Sequence, residues 1–106
     1  YGDYVWVSGT TGYDYATMTI APDVVAQAEQ CIANISRALA EAGCTLDDVV
    51  RVLTIVPRRE DWEPCWPVFR KYFGKARPAS TLLHAGLQTD IMRIEIEVTA
   101  RLPKKG

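Results

Sequence analysis

Two glutamates near the C-terminus are the first candidates for chemistry. In the run 94–101 (IEIEVTAR), Glu95 and Glu97 alternate with apolar residues, and this period of two predicts a β-strand with two distinct faces. The apolar side chains cover a core, so both carboxylates project from the opposite face, about 7 Å apart. If both are buried, their repulsion favours keeping a proton on one of them, which prepares a general acid or base. The alternative, which the sequence leaves open, is a pair of solvated or salt-bridged glutamates.

His84 is the only histidine and lies near the end of a predicted strand. A single histidine with no carboxylate or cysteine at local spacing is typical of a packed or hydrogen-bonded residue rather than a catalyst. A nucleophilic pair with Cys31 or Cys65 would have to form in space, because such pairs are not defined by sequence spacing. No feature of the sequence favours that pair.

The segment Ser8-Gly9-Thr10 follows a predicted strand and offers hydroxyls and backbone N–H groups. These groups suit a carboxylate or phosphate, but an ordinary turn has the same composition. Trp62 and Trp66 are interpreted as core or interface packing in preference to a ligand-stacking platform. The sequence contains no phosphate loop, zinc motif or dinucleotide fingerprint.

Length and charge exclude several classes of protein. The 106 residues, 48% of them hydrophobic, suit a single domain spanning 1–106. Twelve basic and thirteen acidic side chains leave a formal charge of −1, so we expect no nucleic-acid partner. The three cysteines are widely spaced and form no CxxC pair, which indicates reduced thiols. No apolar run reaches the ~20 residues of a membrane span, and the first residues do not form a secretory signal, so we expect a cytoplasmic protein without a membrane partner.

Hydrophobic periodicity predicts the elements that position these candidates. In chain order they are the strands Tyr4–Ser8 and Thr17–Ile20, the helix Val24–Ala42, the strand Val49–Val56, the helix Trp62–Phe73, and two strands within Ala76–Leu102. The order is β-β-α-β-α-β-β, and the first two strands are expected to form a hairpin. Asp23 and Asp61 are placed to cap the two helices, and Gly43 and Gly74 to end them.

The most economical packing for this order is a mixed sheet with two helices on one face. The run Val49–Val56 is apolar on both faces, which predicts a central strand. The uncovered face would then carry a set of polar residues, namely Glu95, Glu97, Thr99, and either Arg51 or Thr54. A half-polar sheet face of this kind is a surface for subunit packing.

Four segments resemble the RidA/YjgF family, also called the L-PSP endoribonuclease family, over nearly the whole chain. They are VSGT at 7–10, AEQCIANISRALAEAG at 28–43, VVRVLTIVP at 49–57, and RPAS…IEIEVTA at 77–100. The resemblance implies an α+β, chorismate-mutase-like fold and a homotrimer whose sheets form a central barrel, with ligand clefts between subunits. It also implies hydrolysis of reactive enamines or imines made by pyridoxal-phosphate enzymes, which releases a 2-keto acid and ammonia without a metal or bound cofactor.

The resemblance assigns roles to three residues that match the family pattern. Glu95 matches the cleft glutamate, which would position or activate the hydrolytic water. Ser8 and Gly9 match a strand-end Ser-Gly pair, which would line the cleft with a hydroxyl and a backbone N–H. Glu97 has no counterpart in that cleft pattern and is interpreted as structural.

Three other positions depart from the family pattern. Ser80 occupies the place of the arginine that clamps the substrate carboxylate, and a hydroxyl does not supply that charged fork. Leu82 replaces a common cysteine, and Trp66 falls at the place of an asparagine. Arg77 precedes Ser80 by an odd number of residues and would point to the opposite face of one strand.

These departures lead to three competing hypotheses. The first is a divergent RidA-like hydrolase that binds a small molecule and whose 2-imino acid deamination is weak or absent. The second is a non-catalytic trimer that binds a small ligand in the same cleft. The third, RNA cleavage or translation inhibition, comes from the family's older name and is the least favoured, because the net charge of −1 does not suit RNA binding.

Overall fold

The computed structural model of the protein describes residues 2–103. It contains two α-helices, six strands and two short 3₁₀ turns, at Leu46–Asp48 and Arg59–Asp61. The strands are β1 Tyr4–Thr11, β2 Tyr13–Asp14, β3 Thr19–Ile20, β4 Val49–Ile55, β5 Ala79–Leu83 and β6 Glu95–Arg101; the helices are α1 Val24–Glu41 and α2 Trp62–Phe73. Within this range, no helix is long and apolar enough to cross a membrane.

Four of the strands form one mixed sheet in the order β1-β6-β4-β5. Strand β6 is antiparallel to β1 and β4, and β4 is parallel to β5. The prediction of a mixed sheet with β4 inside it is therefore confirmed. Both helices lie on the same face, where the sheet contributes Val52, Ile96, Val98 and other buried apolar side chains to one core.

The predicted N-terminal hairpin is wrong. Strand β1 pairs with the last strand of the chain, with Val5 opposite Ala100 and Val7 opposite Val98. The second predicted strand shortens to β3, which pairs only with the two-residue strand β2. Val5 and Val7 pack against the same core as the apolar face of β6, and a two-residue strand offers no comparable surface.

Helix α1 begins and ends close to the predicted residues, for the predicted reasons. The Asp23 carboxylate accepts a hydrogen bond of 3.0 Å from the Ala26 N–H, which is the geometry of an N-cap. After Glu41 the chain turns at Gly43, whose φ of +85° is a conformation that glycine adopts without a Cβ clash. Between these ends, the apolar stripe of Ala28, Ile32 and their neighbours is fully buried.

The side chains of β4 show which face of the sheet packs against the helices and which is uncovered. Thr54 lies on the helix side with 0% of its surface exposed, opposite Ile96 of β6, so of the two alternatives, Arg51 and Thr54, it is not the one that faces outward. Its hydroxyl oxygen has no hydrogen-bond partner. Arg51 is exposed and belongs to the uncovered face, opposite Thr99. Arg51 and Thr54 are three positions apart, an odd separation, which explains why only one of them faces outward.

Buried Gln27 connects the loop before β6 to α1. Its side-chain oxygen accepts the Arg93 N–H at 2.9 Å, and its side-chain nitrogen donates to the carbonyls of Ala21 and Ile91, both at 2.8 Å. Three backbone groups that belong to no helix or strand ladder are thereby satisfied inside the protein. Gln27 thus fixes where β6 begins.

Arg93 extends this connection to α2. Its guanidinium binds both carboxylate oxygens of Asp61, at 2.6 and 3.0 Å, and donates to the Pro22 carbonyl at 2.8 Å. The prediction that Asp61 caps α2 through its side chain is wrong, because that carboxylate is engaged by Arg93. The Asp61 side chain is only 5% exposed, so the pair is largely removed from water.

Replacing Arg93 should destabilise the fold strongly. Arg93→Met keeps much of the packing but leaves the buried Asp61 carboxylate without its partner, and we expect a loss of about 3 kcal/mol in the free energy of unfolding. Urea denaturation followed by tryptophan fluorescence measures this loss. In the double variant Arg93→Met/Asp61→Asn, part of it should return, because no unpaired charge remains.

The matched control is Lys75→Met, which breaks an exposed ion pair with Asp47. We expect no measurable change there, since solvent screens that pair. If Arg93→Met and Lys75→Met had the same effect, the Arg93–Asp61 pair would not be the stabilising contact described here.

Candidate functional site

Glu95 is the first residue of β6 and lies beside an irregularity in β1. The β1–β6 register shifts between Val7 and Thr10, so Ser8 and Gly9 form a bulge opposite Glu97, while Glu95 is paired with Thr11. On its other side Glu95 is paired with Ile55 of β4. Its side chain is half-buried and points away from the helices, as the alternation with Ile96 predicts.

The Glu95 carboxylate lies directly against Gly9. A Cβ built on Gly9 would be 2.9 Å from the carboxyl carbon of Glu95 and 3.0 Å from one of its oxygens. The contact therefore requires a residue without a side chain at position 9. The structure brings together three of the predicted site residues, Ser8, Gly9 and Glu95, on the uncovered face of the sheet.

Cys31 supports this bulge from the helix side. Its thiol donates a hydrogen bond of 2.9 Å to the Thr10 carbonyl, and its side chain is fully buried. Burial raises the pKa of the Cys31 thiol well above its ordinary value, and the charge of Glu95 adds to the shift. Cys31 is thus a protonated hydrogen-bond donor rather than a nucleophile.

His84 and Cys65 have separate structural environments. The Nδ1–H of His84 donates to the Val56 carbonyl at 2.8 Å, which is the hydrogen-bonded role that the sequence favours for it. Burial raises the pKa of the Cys65 thiol to about 11, and its hydrogen-bonding neighbour is the Val24 carbonyl. Within residues 2–103, no group of three or more His, Cys, Asp and Glu side chains could hold a metal ion.

Ser80, Leu82 and Trp66 lie apart from Glu95 within one protomer. Ser80 is paired with Val52, and Leu82 with Thr54, so both belong to the helix side of the sheet. Trp66 is on α2 and is 49% exposed. The six predicted residues therefore form two groups on opposite sides of the sheet.

Arg77 does not substitute for the missing arginine. It has a φ of +50° and precedes the first residue of β5, so the alternation of faces along that strand does not apply to it. The sequence interpretation expected a poor substitute on the opposite face, and the structure places Arg77 outside the strand altogether.

A cavity of about 310 Å³ borders Ser80 between α2 and strands β4 and β5. Its walls include Val52, Trp62, Phe69, Arg70, Phe73 and Ser80. Sequence reasoning did not single out Arg70, because an arginine near the end of an amphipathic helix reads as a solvated residue. The available signal was its spacing of three residues from the apolar Phe73, which makes the two side chains neighbours on α2.

Comparison with known proteins identifies the family of this chain. The family model of endoribonuclease L-PSP matches residues 1–102. The chain belongs to the RidA/YjgF family. A RutC family protein of Pyrococcus abyssi is 31% identical over 100 residues, covering 93% of this chain and 79% of that protein. The mouse 2-iminobutanoate/2-iminopropanoate deaminase is 27% identical over 97 residues, covering 91% of this chain and 72% of that enzyme.

A solved structure of a YjgF/YER057c/UK114 family member from Mycobacterium tuberculosis superposes with a TM-score of 0.84 at 33% identity. The match covers 94% of this chain and 80% of that one. The family membership and the α+β fold inferred from the sequence are therefore confirmed. In this RidA/YjgF protein, the bulge of β1 and the start of β6 carry Ser8, Gly9 and Glu95, the residues that the sequence resemblance assigns to a cleft.

The same substitution should have different effects at Gly9 in β1 and at Gly12, which directly follows β1. Gly9→Ala should displace only the flexible end of Glu95, at little cost in stability. Gly12→Ala should cost about 1–3 kcal/mol, because its Cβ would lie 2.5 Å from the Gln27 carbonyl oxygen and 2.7 Å from the Gln27 Cα. Thermal and urea unfolding of the two variants measure the difference.

Gly86→Ala is the control, since a Cβ there meets nothing within 4 Å. A crystal structure of Gly9→Ala should show the Glu95 carboxylate moved from its position over residue 9. A Gly9→Ala protein as unstable as Gly12→Ala would contradict the assignment of the Gly9 contact to a movable side chain.

Proposed function

We propose that this protein is a RidA-like small-molecule hydrolase that acts on imine, enamine or related carbonyl metabolites. The observation that carries the proposal is the Glu95 carboxylate held against Gly9 beside the exposed Ser8. The named activity of the mouse relative, a 2-imino acid deaminase, supports the substrate class. The reaction adds water across a C=N bond and releases ammonia and a carbonyl compound.

In this proposal Glu95 acts on the water. A carboxylate accepts a hydrogen bond from the attacking water and takes its proton as the oxygen bonds to the imine carbon. The same group returns that proton to the nitrogen, which gives a carbinolamine. It then transfers the carbinolamine hydroxyl proton to the amino nitrogen, so the C–N bond breaks and ammonia leaves as the carbonyl forms. The Ser8 hydroxyl and the Gly9 N–H line the cleft and are available to the substrate's polar atoms.

Ser80 lowers the expected activity on small 2-imino acids. A hydroxyl at this position offers no charge to a substrate carboxylate, which removes a contact worth on the order of 2–4 kcal/mol. We therefore infer that deamination of the simplest 2-imino acids is weak or absent.

We propose that the active form is a homotrimer. The uncovered sheet face exposes apolar side chains beside its polar ones: Trp6 is 65% exposed, Leu83 is 46% exposed, and Leu53 between them is partly exposed. Such a surface is normally buried against another subunit. Because the Glu95 group and the Ser80 group lie on opposite sides of one protomer, a cleft that contains both needs a second copy.

The oligomeric state can be measured by light scattering after size exclusion. We expect the mass of three protomers for the wild-type protein. Leu53→Glu places a charge on the uncovered face, where it does not touch the helix-side core, and should yield folded protomers. Ala33→Glu, an exposed position of α1, should remain trimeric. A wild-type monomer would contradict the trimer.

A second candidate function is favoured by the apolar cavity next to Ser80. With Leu82 and Trp66 in place of polar family residues, the same cleft could bind an apolar ligand without turnover. A small-molecule stabilisation screen tests this alternative, since binding raises the melting temperature. RNA cleavage remains the least favoured function, because the formal charge of −1 provides no basic surface.

The enzyme proposal predicts a pattern across three variants. With 2-aminoacrylate generated in situ, pyruvate should form slightly faster than in buffer. Glu95→Gln should return the rate to that of buffer, because an amide does not accept the proton. Ser80→Arg should raise the rate about tenfold or more, because it restores a charged contact to the substrate carboxylate.

Glu97→Gln is the matched control, since it changes the neighbouring carboxylate on the same face and should leave the rate unchanged. If Glu95→Gln and the wild type had equal rates above buffer, Glu95 would not be the catalytic group. If neither the wild type nor Ser80→Arg exceeded buffer, hydrolysis of the smallest 2-imino acids would be ruled out and the binding alternative would be favoured.

A further inference from the structure

The cavity beside Ser80 has a preformed aromatic wall. The rings of Trp62 and Phe69 pack edge to face with centroids 4.9 Å apart, and Phe69 lies 5.8 Å from Phe73 at an angle of 44°. Phe73 is buried and Val52 closes the floor on the sheet side. Because these rings pack against each other, the wall does not have to form when a ligand binds. A volume of about 310 Å³ suits a small molecule with one ring or a short branched chain.

Only two of the wall residues named above, Arg70 and Ser80, have polar side chains. Within residues 2–103, the arginine and lysine side chains in ion pairs are Lys71, Lys75 and Arg93, and Arg70 is not among them. The neighbouring Lys71 is paired with Glu29. Of these two adjacent cations on α2, Arg70 is therefore the one that can form an ion pair with a ligand. A guanidinium at the edge of an apolar cavity is suited to a carboxylate, because it donates two parallel hydrogen bonds in a fixed fork.

We propose that this cavity binds a small carboxylic acid with an aromatic or branched apolar side chain. Arg70 contacts the carboxylate, Ser80 donates a hydrogen bond to it, and the rings of Trp62 and Phe69 contact the apolar side chain. The inference deepens the proposed function and rests on it for the reaction: the preferred substrates are imino or keto acids with apolar side chains. For these larger acids a charge is supplied from α2, whereas the smallest 2-imino acids have no apolar side chain to hold their carboxylate beside Arg70.

This assignment predicts that the protein hydrolyses 2-aminoacrylate more slowly than imino acids with apolar side chains. 2-Aminoacrylate has a carboxylate but no side chain to fill the aromatic wall, so only the polar part of the cavity would be used. A ligand with both a carboxylate and an apolar side chain should bind more tightly than a ligand that has only one of these groups.

Binding can be measured apart from catalysis with a stable probe. We choose 3-phenylpropanoate and compare it with the neutral 3-phenylpropanamide and with acetate, by calorimetric titration of the whole protein. Wild-type protein should bind 3-phenylpropanoate about tenfold or more tightly than either comparison compound. Arg70→Gln should remove that advantage over the amide, and Ser80→Ala should reduce it severalfold.

Arg37→Gln on α1 is the matched control, because it removes an exposed helical arginine outside the cavity and should not change the affinity. Melting temperatures of all variants check that each one is folded. The proposal is overturned if the wild type binds carboxylate and amide equally, if Arg70→Gln binds like the wild type, or if 3-phenylpropanoate does not bind.

The binding and hydrolysis assays separate this inference from the proposed function. In one outcome, 3-phenylpropanoate binds in an Arg70-dependent manner while imines are hydrolysed no faster than in buffer. This outcome would support the proposed carboxylic-acid site and contradict the proposed hydrolysis. In the other outcome, imine hydrolysis depends on Glu95 but 3-phenylpropanoate does not bind. This outcome would support the proposed hydrolysis and overturn the carboxylic-acid site.

Discussion

Gln27 lies fully buried in α1, and its side-chain amide holds three backbone groups from outside that helix. Through Arg93 the same connection reaches the Asp61 carboxylate at the start of α2. The loop before β6 therefore cannot slide relative to either helix. Glu95 follows Arg93 by two residues, so the position of the candidate site depends on this hydrogen-bond network. Buried polar groups of this kind are costly when only partly satisfied, which makes the arrangement nearly all-or-none.

The sheet divides the chemistry of the protein between its two faces. On the uncovered face, a bulge in β1 brings Ser8 and Gly9 against Glu95. On the helix side, α2 and β5 border an open aromatic cavity that includes Ser80 and Arg70. The proposed trimer is a closed symmetric assembly that would bring these two faces of neighbouring protomers together. The proposed catalytic group and the proposed specificity cavity thus lie on different surfaces of one small domain.

Several elements were predictable because their signals are local. Helix α2 spans the predicted residues Trp62–Phe73, and α1 differs from its prediction by one residue at its end. The alternation in β6 assigned Glu95 and Ile96 to the correct faces. The hairpin was wrong, the Asp61 side chain does not cap α2, and the choice between Arg51 and Thr54 stayed open, since each depends on packing or a partner distant in sequence. Asp61 fits a cap by position, but Arg93, thirty-two residues later, binds its carboxylate.

By itself, the sequence determined the family, the fold class, the two helices and the identity of Glu95 as a candidate. These follow from periodicity, turn residues and motifs, which are properties of neighbouring positions. The tertiary structure alone decided that Glu95 lies against Gly9, that Cys31 is a buried donor, and that Ser80 lies with Arg70 rather than with Glu95. The physical reason is that a contact between strands or between a helix and a sheet is set by register and packing, and neither can be read from the spacing of residues along one element.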